Sequence, residues 1–400
     1  MLLLPTSVLK PGMALARHVL HPDRADLLLL ARGYVLDTGT ITHLRSNFIS
    51  HVWIDFPALD ELQGRISEDI AQSHMELFKV LSGSIERLEP RVSLSVNVQK
   101  YRKAVHHMLA DIVEHSNHDI ITNQLRLCGN RLAGHQANCA YLALLIGAHL
   151  SGYVRTQRNK LPTDVAENTA QLGLGALLHD VGKATMPDDI RHITALDSES
   201  LCEEYRCHTR SGYETIRDHI SPVAAHVVLH HHQRYNGSGF PLRATRANPN
   251  PEPLSGSRIH IFSRIVGAID AFDHLLCPTD PAAPKPTIVA LSHLRSHRFR
   301  GWFDPVVIEA MTRLVPPFMV GQSIRLNDGQ QAIVTENHQD TPTQPTIRTY
   351  TGLLAGSDMH MAPRSLDLRM ARGLYIAQAD GYDVTKEVLG PSMNGPQAAA

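Results

Sequence analysis

Two clusters of polar residues in otherwise apolar helical segments constrain this chain more than any other feature. The first is the dipeptide His179-Asp180, followed by Lys183, and the second is the pair His231-His232. A polar group that is buried on an apolar helix costs free energy unless it is hydrogen-bonded, paired or bound to a metal. Imidazoles and carboxylates are also the ligands that Fe, Mn and Zn accept in proteins. The sequence therefore predicts a fold built around a metal site.

Length and composition set the broad class. A chain of 400 residues suggests two or three domains at roughly 150 residues each. With 43% apolar and 19% charged residues, the chain can form a sizeable core. The formal net charge of −1 gives no reason to expect a surface that binds a nucleic-acid polymer. The 25 histidines exceed what one metal centre needs, so most of them are expected to be structural or on the surface.

Cysteine usage and hydropathy indicate a cytoplasmic protein. The five cysteines are odd in number and form no CxxC pair, which favours reduced thiols over a disulfide framework. The first residues lack a basic leader, so we expect no signal peptide. We also expect no membrane segment, since no apolar run reaches the ~18 residues that a spanning helix needs.

The periodicity of the chain changes several times and predicts five segments. These are a β-rich accessory module (1–62), a helical connector (63–100), a helical domain (101–316), a small β module (317–385) and a disordered tail (386–400). Within the helical domain, Ser221-Pro222 is a helix start, with Ser as the N-cap and Pro at the first position. In the second β module, Asp328-Gly329 predicts a hairpin turn.

The histidines and aspartates recur in a fixed order. His135 comes first, followed by His179-Asp180 with Gly182-Lys183, then His208, then His231-His232 with Gly239-Phe240-Pro241, and finally Asp270. Over residues 105–315 this order resembles the HD-GYP family, bacterial metal-dependent phosphohydrolases that cleave cyclic dinucleotides. The resemblance implies a mainly α fold, namely an HD-type helical bundle with a di-metal centre, flanked by small N-terminal and C-terminal β-containing modules. Within residues 1–62, the segments Leu9-Lys10-Pro11-Gly12-Met13 and Leu30-Ala31-Arg32-Gly33 resemble the small β-rich accessory module that often precedes such domains, and a generic accessory domain is the alternative.

The resemblance also implies a role for each matched residue. One ion would be held by His135, His179 and Asp270, the other by His208, His231 and His232, with Asp180 as the bridge. Asp180 and Lys183 would be the catalytic residues, Lys183 by neutralising phosphate charge. The implied cofactors are two divalent metal ions, Fe or Mn first, with Zn, Ni or Mg as alternatives. Substrate contacts would come from Lys183, Gly239, Phe240, Pro241 and Arg264, and a surface salt bridge is the alternative role for Arg264.

Two assignments have a neighbour that competes with them. His230 extends the histidine pair to a triplet, and counting back from residues 239–241 selects His231 and His232 instead. Asp273 competes with Asp270, and the family's ligand is the first aspartate of that pair. His226 and His260 are interpreted as structural.

The chain also departs from the family pattern. Gln233, Asn236 and Phe240 stand where the family has Glu, Asp and Tyr, and Arg131 stands where some members have a glutamate that supports a third metal. We therefore expect two metals. The basic substrate-binding segment that follows the last aspartate in the family is replaced by residues 277–280, Cys-Pro-Thr-Asp.

The expected function is hydrolysis of cyclic di-GMP to pGpG and GMP through a metal-bridging hydroxide, in bacterial second-messenger signalling. The alternative is a degenerate protein that binds metal or nucleotide without turnover and acts as a sensor or scaffold. A third hypothesis keeps the enzyme class and changes the substrate to another cyclic dinucleotide or to a nucleotide. A signalling partner, such as a diguanylate cyclase, and a homodimer are compatible with the resemblance.

Overall fold

A computed structural model gives the architecture of the chain. It describes residues 2–21, 27–47, 49, 51–56, 59, 62, 65, 67–85, 94–116, 119, 131–191, 193–194, 196, 202–242, 251–276, 285–351, 360–362 and 364–390. The replaced segment at 277–280 and most of the predicted tail lie outside these residues.

Helices dominate the middle of the chain and strands its two ends. The helices are α1 (Thr38–Ser46), α2 (Glu68–Ile85), α3 (Leu94–Glu114), α4 (Arg131–His149), α5 (Ser151–Gln157), α6 (Thr163–Glu167), α7 (Ala170–Leu178), α8 (Asp188–Arg191), α9 (Glu203–Arg206), α10 (His208–Ile216), α11 (Pro222–His230), α12 (Ile261–Leu276), α13 (Thr287–Leu294), α14 (Pro305–Leu314) and α15 (Thr385–Leu389). The strands are β1 (Leu2–Pro5), β2 (Val19–Leu20), β3 (Leu28–Leu30), β4 (His51–Ile54), β5 (Ser323–Leu326), β6 (Gln331–Glu336), β7 (Thr346–Thr351), β8 (His360–Met361), β9 (Leu366–Asp367), β10 (Ile376–Ala379) and β11 (Tyr382–Asp383). The mainly α architecture with small β-containing parts at both ends, predicted from the sequence, is confirmed.

The core of the bundle is formed by α4, α7, α11 and α12, which pack against one another. α4 and α7 are apolar on nearly every side, because they are covered by neighbouring helices and not by water. α2 joins this core. It lies in the segment predicted as a helical connector, and its Leu77 and Phe78 are fully buried in the same apolar cluster as α4 and α7.

Local signals in the sequence are matched at several element ends. The Ser221 side chain accepts a hydrogen bond from the backbone N–H of Ala224, and Pro222 opens α11. The predicted hairpin forms between β5 and β6, with Gly329 at φ 88°, a conformation that favours glycine. Both predictions are confirmed. Each could be made from the sequence because it depends on hydrogen bonds and backbone preferences within a few residues.

The C-terminal strands form one antiparallel sheet in the order β11-β10-β5-β6-β7-β8, with β9 also paired to β7. Successive side chains on β6 point to opposite faces. Ala332 and Val334 pack into the helical core, whereas Ile333 packs into a second core with residues of the N-terminal module. The sheet is therefore a layer between the helical bundle and the N-terminal module.

The N-terminal module is a pair of two-stranded ladders, β1 with β4 and β2 with β3, covered by α1. It contacts the C-terminal sheet through backbone as well as side chains. The N–H of Leu3 donates to the carbonyl of Gly321 at 2.9 Å, and His51 lies 3.5 Å from Asp380.

Within the described residues, no single helix combines the length and apolar character needed to cross a membrane. The bent pair of α4 and α5, at 84° to each other, passes the same test on length and composition together.

Candidate metal centre

The predicted ligands lie mostly at helix ends that converge on one buried point. His179 is the residue on which α7 ends, Asp180 follows it, and His231 ends α11 in the same way. His208 is the first residue of α10, whereas Asp270 lies within α12. His135 projects from α4 to complete the set. The structure thus brings together all seven residues that the resemblance singled out as ligands.

Two clusters of ligand atoms share Asp180. In the first, the Nε2 atom of His135 lies 3.1 Å from Asp270 Oδ1 and 3.2 Å from the Nε2 atom of His179. The same two imidazole nitrogens lie 3.8 and 3.6 Å from Asp180 Oδ2. These four residues could hold one ion.

The second cluster lies on the other side of the Asp180 carboxylate. Its Oδ1 atom is 3.3 Å from the Nε2 atom of His208 and 3.6 Å from that of His231. His232 completes a group whose ligand atoms all lie within 4.8 Å of one another. Each of the two Asp180 oxygens therefore faces a different cluster, an arrangement suited to a bridge between two cations.

The hydrogen bonds of the imidazoles fix which nitrogen faces the centre. The Nδ1 atoms of His179, His208 and His231 each contact the backbone carbonyl three residues earlier, at 2.7, 2.5 and 2.9 Å. An Nδ1–H that donates to a carbonyl leaves Nε2 as the lone-pair atom of the neutral ring. Several lone pairs then point at one another, and neighbouring lone pairs repel unless a cation lies between them. The donor set therefore fits divalent metal ions.

The pKa shifts of His208, His231 and Asp180 agree with metal binding. Burial lowers the pKa of His208, and it lowers that of His231 to about 4, so both rings are neutral near pH 7. Burial would raise the pKa of Asp180, but the charge of Lys183 and the neighbouring His179 outweigh it and hold that pKa well below its usual range. His208, His231 and Asp180 therefore have their metal-binding protonation states before any ion arrives. His135 differs, because burial would lower its pKa but the neighbouring Cys139 and the hydrogen bonds to Asp270 and Asp273 hold that pKa well above its usual range, so this ring must release a proton when an ion binds.

Lys183 is buried and forms an ion pair with Asp180, its Nζ atom 2.7 Å from Oδ2. Burial alone would lower the lysine pKa, but Asp180 raises it above its usual range. In this structure the ammonium keeps Asp180 ionised. Its predicted contact with substrate phosphate stays a prediction.

Two glycines allow the backbone around the site to pack closely. A Cβ added at Gly182 would lie 2.1 Å from the carbonyl oxygen of His208, and one added at Gly267 would lie 2.4 Å from that of His231. Both distances are far below any real contact. Each glycine therefore lets a neighbouring helix bring its histidine to the centre.

Asp273 lies outside both clusters but contacts one ligand. Its Oδ2 atom is 2.7 Å from His135 Nδ1, and its Oδ1 atom accepts a hydrogen bond from Asn138 at 3.2 Å. It therefore orients His135 and leaves the Nε2 atom of that ring facing Asp180 and Asp270.

Sequence reasoning missed three residues at this centre. His274 stacks on His135 with ring centroids 4.3 Å apart, and its Nε2 atom lies 3.2 Å from Asp270 Oδ1. The Cys139 thiol lies next to His135 and could join it with His179 around an ion, although burial raises the thiol pKa to about 12. The Tyr205 hydroxyl is 3.4 Å from His232 Nε2. Only the i,i+4 spacing of His274 from Asp270 and of Cys139 from His135 could have indicated the first two.

The substituted residues of the 233–241 loop have definite roles in the structure. The Gln233 amide donates to the carbonyl of Pro241 at 2.6 Å and accepts from the N–H of Leu254 at 2.8 Å, and a glutamate could not make the first bond. The Asn236 side chain accepts from the backbone N–H of Ser238 at 3.0 Å. Phe240 packs on His232, with ring centroids 4.7 Å apart. The neutral side chains therefore hold this loop against the site.

Arg264 lies in the wall of a pocket that includes Asp270 and Phe240. Its guanidinium donates to Asp304 Oδ2 at 2.6 Å and to Gln157 Oε1 at 2.7 Å. This ion pair is buried, in contrast to the surface salt bridge considered from the sequence. With these donors engaged, Arg264 shapes the pocket wall, and direct contact with a substrate stays a prediction.

The other histidines considered from the sequence lie apart from the two clusters. Among the ligand groups formed by the described residues, none includes His230, which packs against His226 with ring centroids 5.6 Å apart. His260 caps the start of α12 locally, its Nδ1 accepting from the N–H of Phe262 at 3.2 Å.

Comparison with known proteins identifies the helical part of the chain. A model of the HD domain family matches residues 108–307. The chain is 28% identical over 182 residues to the cyclic di-GMP phosphodiesterase PA4108 of Pseudomonas aeruginosa, covering 45% of this chain and 41% of that protein. It is 30% identical over 169 residues to the cyclic di-GMP phosphodiesterase response regulator RpfG of Xanthomonas campestris pv. campestris, covering 42% of this chain and 41% of that protein.

A further relative acts on a different dinucleotide. The chain is 24% identical over 248 residues to the 3'3'-cGAMP-specific phosphodiesterase 2 of Vibrio cholerae, covering 61% of this chain and 41% of that protein. The aligned part thus spans about two fifths of each of these relatives. Because the family model covers half of the 400 residues and includes all seven clustered residues, the resemblance drawn from the motifs is confirmed, and the chain belongs to the HD domain family.

Proposed function

We propose that this chain is a metal-dependent phosphodiesterase that hydrolyses cyclic di-GMP to pGpG and GMP. One observation carries the proposal: the two oxygens of the buried Asp180 carboxylate each face a separate cluster of imidazoles. Sites of this kind serve in-line displacement at phosphorus. The names of the two cyclic di-GMP phosphodiesterases above support the same reaction class and substrate.

The proposed cofactor is a pair of divalent ions. His135, His179 and Asp270 would hold one, His208, His231 and His232 the other, and Asp180 would bridge them. Fe or Mn suits this mixture of nitrogen and oxygen donors best, with Zn, Ni or Mg as alternatives. When bound, such a pair supplies Lewis acidity and neutralises charge at the phosphate.

The protein's own residues would prepare the site for the substrate. Lys183 holds Asp180 ionised, and its charge adds to the positive field at the place where the phosphate would lie. Asp273 and the three backbone carbonyls orient the imidazoles. Phe240, in the loop that Gln233 fixes, lines the pocket, and this loop would position the sugar-phosphate next to the ligands.

Two alternatives have specific support. The loss of charge at Gln233 and Asn236 and the replaced segment at 277–280 favour a protein that binds a dinucleotide without cleaving it and passes the signal to a partner. The Vibrio cholerae relative supports a different cyclic dinucleotide as the substrate. We propose residues 101–316 as the catalytic unit, with 1–62 and 317–385 as flanking modules.

The test is to load the purified protein anaerobically with Fe or Mn and to measure both bound metal and turnover of cyclic di-GMP. We expect two equivalents of metal and slow hydrolysis, and both His179→Ala and Asp180→Ala should abolish turnover. His107→Ala is the control, because that histidine is exposed on α3 and pairs with Glu76.

The outcomes separate the alternatives. Binding of cyclic di-GMP by fully metal-loaded protein without turnover would favour the non-hydrolysing sensor. Turnover of 3'3'-cGAMP but not of cyclic di-GMP would change the substrate and keep the enzyme class. Less than one equivalent of metal under replete conditions would contradict the site itself.

A further inference from the structure

Two arginines lie beside the pocket at the metal centre, Arg234 stacked on Trp302 and Arg206 over the ring of Phe240. The guanidinium carbon of Arg234 lies 3.1 Å from the ring centroid of Trp302, and that of Arg206 lies 5.9 Å from the ring of Phe240. Arg234, Trp302 and Phe240 line the same pocket as His231 and Asp270. Both positive charges are therefore close to the place where a phosphodiester would react.

The two side chains are arranged to bind an anion. A guanidinium that stacks on an aromatic face still has N–H groups in its plane, and that planar fork matches the geometry of a phosphate. Arg206 is exposed, and no carboxylate pairs with it within the described part of the chain. The charge of Arg206 also contributes, after burial, to lowering the pKa of Arg234 to about 10. Two like charges held near each other gain free energy when an anion binds between them.

Arg264 lies in the same pocket and has a different role. Its guanidinium is buried and engaged by Asp304 and Gln157, so it serves the wall of the pocket. Arg206 lies on α9 and approaches the pocket at Phe240, and α9 is a different part of the chain from the residues that follow Asp270. A positive charge from Arg206 would therefore be available to the substrate although the family's basic segment is replaced at residues 277–280.

We propose that Arg206 and Arg234 form a nucleotide-phosphate subsite, which holds the phosphate of the cyclic dinucleotide that is not being hydrolysed. The ring of Trp302 backs Arg234 and extends the pocket wall toward the attached nucleoside. The subsite rests on the proposed function for its substrate, but its anion-binding chemistry can be measured without turnover.

Steady-state kinetics test the role in hydrolysis. Arg206→Ala should raise KM for cyclic di-GMP about tenfold and change kcat by less than about twofold, since an interaction made equally with the bound substrate and the transition state affects KM alone. Arg206→Lys, which keeps the charge and loses the planar fork, should recover part of the affinity. Arg313→Ala is the matched control, because that arginine is exposed and pairs with Glu309 on α14.

Binding without turnover is measured with GMP and guanosine as probes. The chain has two tryptophans, so Trp53→Phe leaves Trp302 as the single tryptophan reporter within the pocket. In this background GMP should change the Trp302 fluorescence, and Arg206→Ala should weaken GMP about tenfold while leaving guanosine unchanged. Arg234→Lys should weaken GMP in the same direction.

The two proposals can fail separately. If the wild-type chain does not hydrolyse cyclic di-GMP but the Arg206→Ala variant binds GMP more weakly than the wild type, the subsite proposal is supported and the enzymatic proposal fails. If the wild-type chain hydrolyses cyclic di-GMP and Arg206→Ala alters neither KM nor GMP affinity, the subsite proposal is overturned. An equal loss of affinity for guanosine and GMP would also overturn it, since the effect would then not depend on phosphate.

Discussion

At the residue scale, Asp180 and Asp273 put the same functional group to different uses. Both are buried and both lie near His135. The oxygens of Asp180 face imidazole nitrogens on two sides and a lysine ammonium, whereas those of Asp273 are occupied by His135 Nδ1 and the Asn138 amide. The carboxylate whose oxygens face the lone-pair nitrogens can bind a cation, and the other can only orient a ligand.

Replacing these two aspartates should therefore have unequal effects. In the proposed two-ion site, Asp180→Ala should remove both ions, since the two clusters lose the anionic group between them. Asp273→Ala should weaken metal binding by about 10–100-fold, as expected when the partner of a metal-binding imidazole is lost. Metal content and affinity, measured by competition with a chelator, check this. Equal losses from both variants would mean that Asp273 is itself a ligand.

His260 predicts a dependence of stability on pH away from the metal ligands. Burial, followed by the positive charge of Arg158, lowers its pKa to about 4 from an ordinary 6.5. A histidine whose folded pKa is depressed stabilises the fold fully above its unfolded pKa and loses that contribution as the pH falls toward its folded pKa. The window is therefore about pH 6.5 down to 4, at about 1.4 kcal/mol for each pKa unit.

The measurement is the free energy of unfolding of the wild-type protein and of His260→Gln across this window. The wild-type protein should lose more stability than the variant as the pH falls, because glutamine has no proton to take up. The comparison isolates His260 from the other buried histidines, since those are present in both proteins. Parallel curves would contradict the assignment.

At the scale of elements, the sequence predicted the features that depend on residues adjacent in the chain. It missed contacts between residues that are distant in sequence and are brought together where helices meet. The Ser221-Pro222 helix start and the Asp328-Gly329 hairpin follow from local hydrogen bonds and backbone preferences. The ligand set came from a family resemblance, which already contains information about which helices meet. His274 and Tyr205 were missed, because their place beside the ligands depends on how helices pack.

The contact between the 3-10 turn at residues 181–185 and α10 is the element-scale feature most open to test. Gly182→Ala would place a Cβ at 2.1 Å from the His208 carbonyl oxygen, so α10 must move and withdraw His208 from the site. We expect a loss of at least about 2 kcal/mol of stability together with loss of metal from the His208 cluster.

Gly152→Ala is the matched control for that change. Gly152 lies on α5, and an added Cβ would meet no atom within 4 Å. This variant should be neutral or more stable by up to about 1 kcal/mol, because alanine restricts the unfolded chain and favours helix. Denaturant unfolding and metal analysis of both variants check the pair. Full metal retention by Gly182→Ala would mean that α10 tolerates the displacement.

At the scale of the whole molecule, the C-terminal sheet connects two cores that would otherwise be separate. Ile347 packs on the helical side and Ile333 on the side of the N-terminal module, and both are fully buried. The sequence predicted a small β module after residue 317. The pattern of residues within its strands could not indicate that the helical bundle covers one face of the sheet and the N-terminal module the other.

Truncating either isoleucine should therefore destabilise the protein to a similar degree. Ile333→Ala and Ile347→Ala should each cost about 2–5 kcal/mol, the usual range for removing a buried isoleucine side chain. If the sheet couples the two cores, each variant should lower the midpoint of one common unfolding transition, followed by tryptophan fluorescence. Separate transitions, with Ile333→Ala shifting only the one reported by Trp53, would show that the N-terminal module unfolds independently.

The bond between Leu3 and Gly321 has a consequence for the order of events during synthesis. Residues near the start of the chain share a core with Val320, Ile333 and Tyr350, which the ribosome adds more than 300 residues later. The N-terminal module therefore leaves the ribosome without the surface that covers it. At a translation rate of ~5–20 residues per second, the residues that form that surface are synthesised roughly 15–60 s later, and the apolar strands of the module stay uncovered until then. During this interval the nascent chain is most exposed to aggregation and most dependent on chaperones.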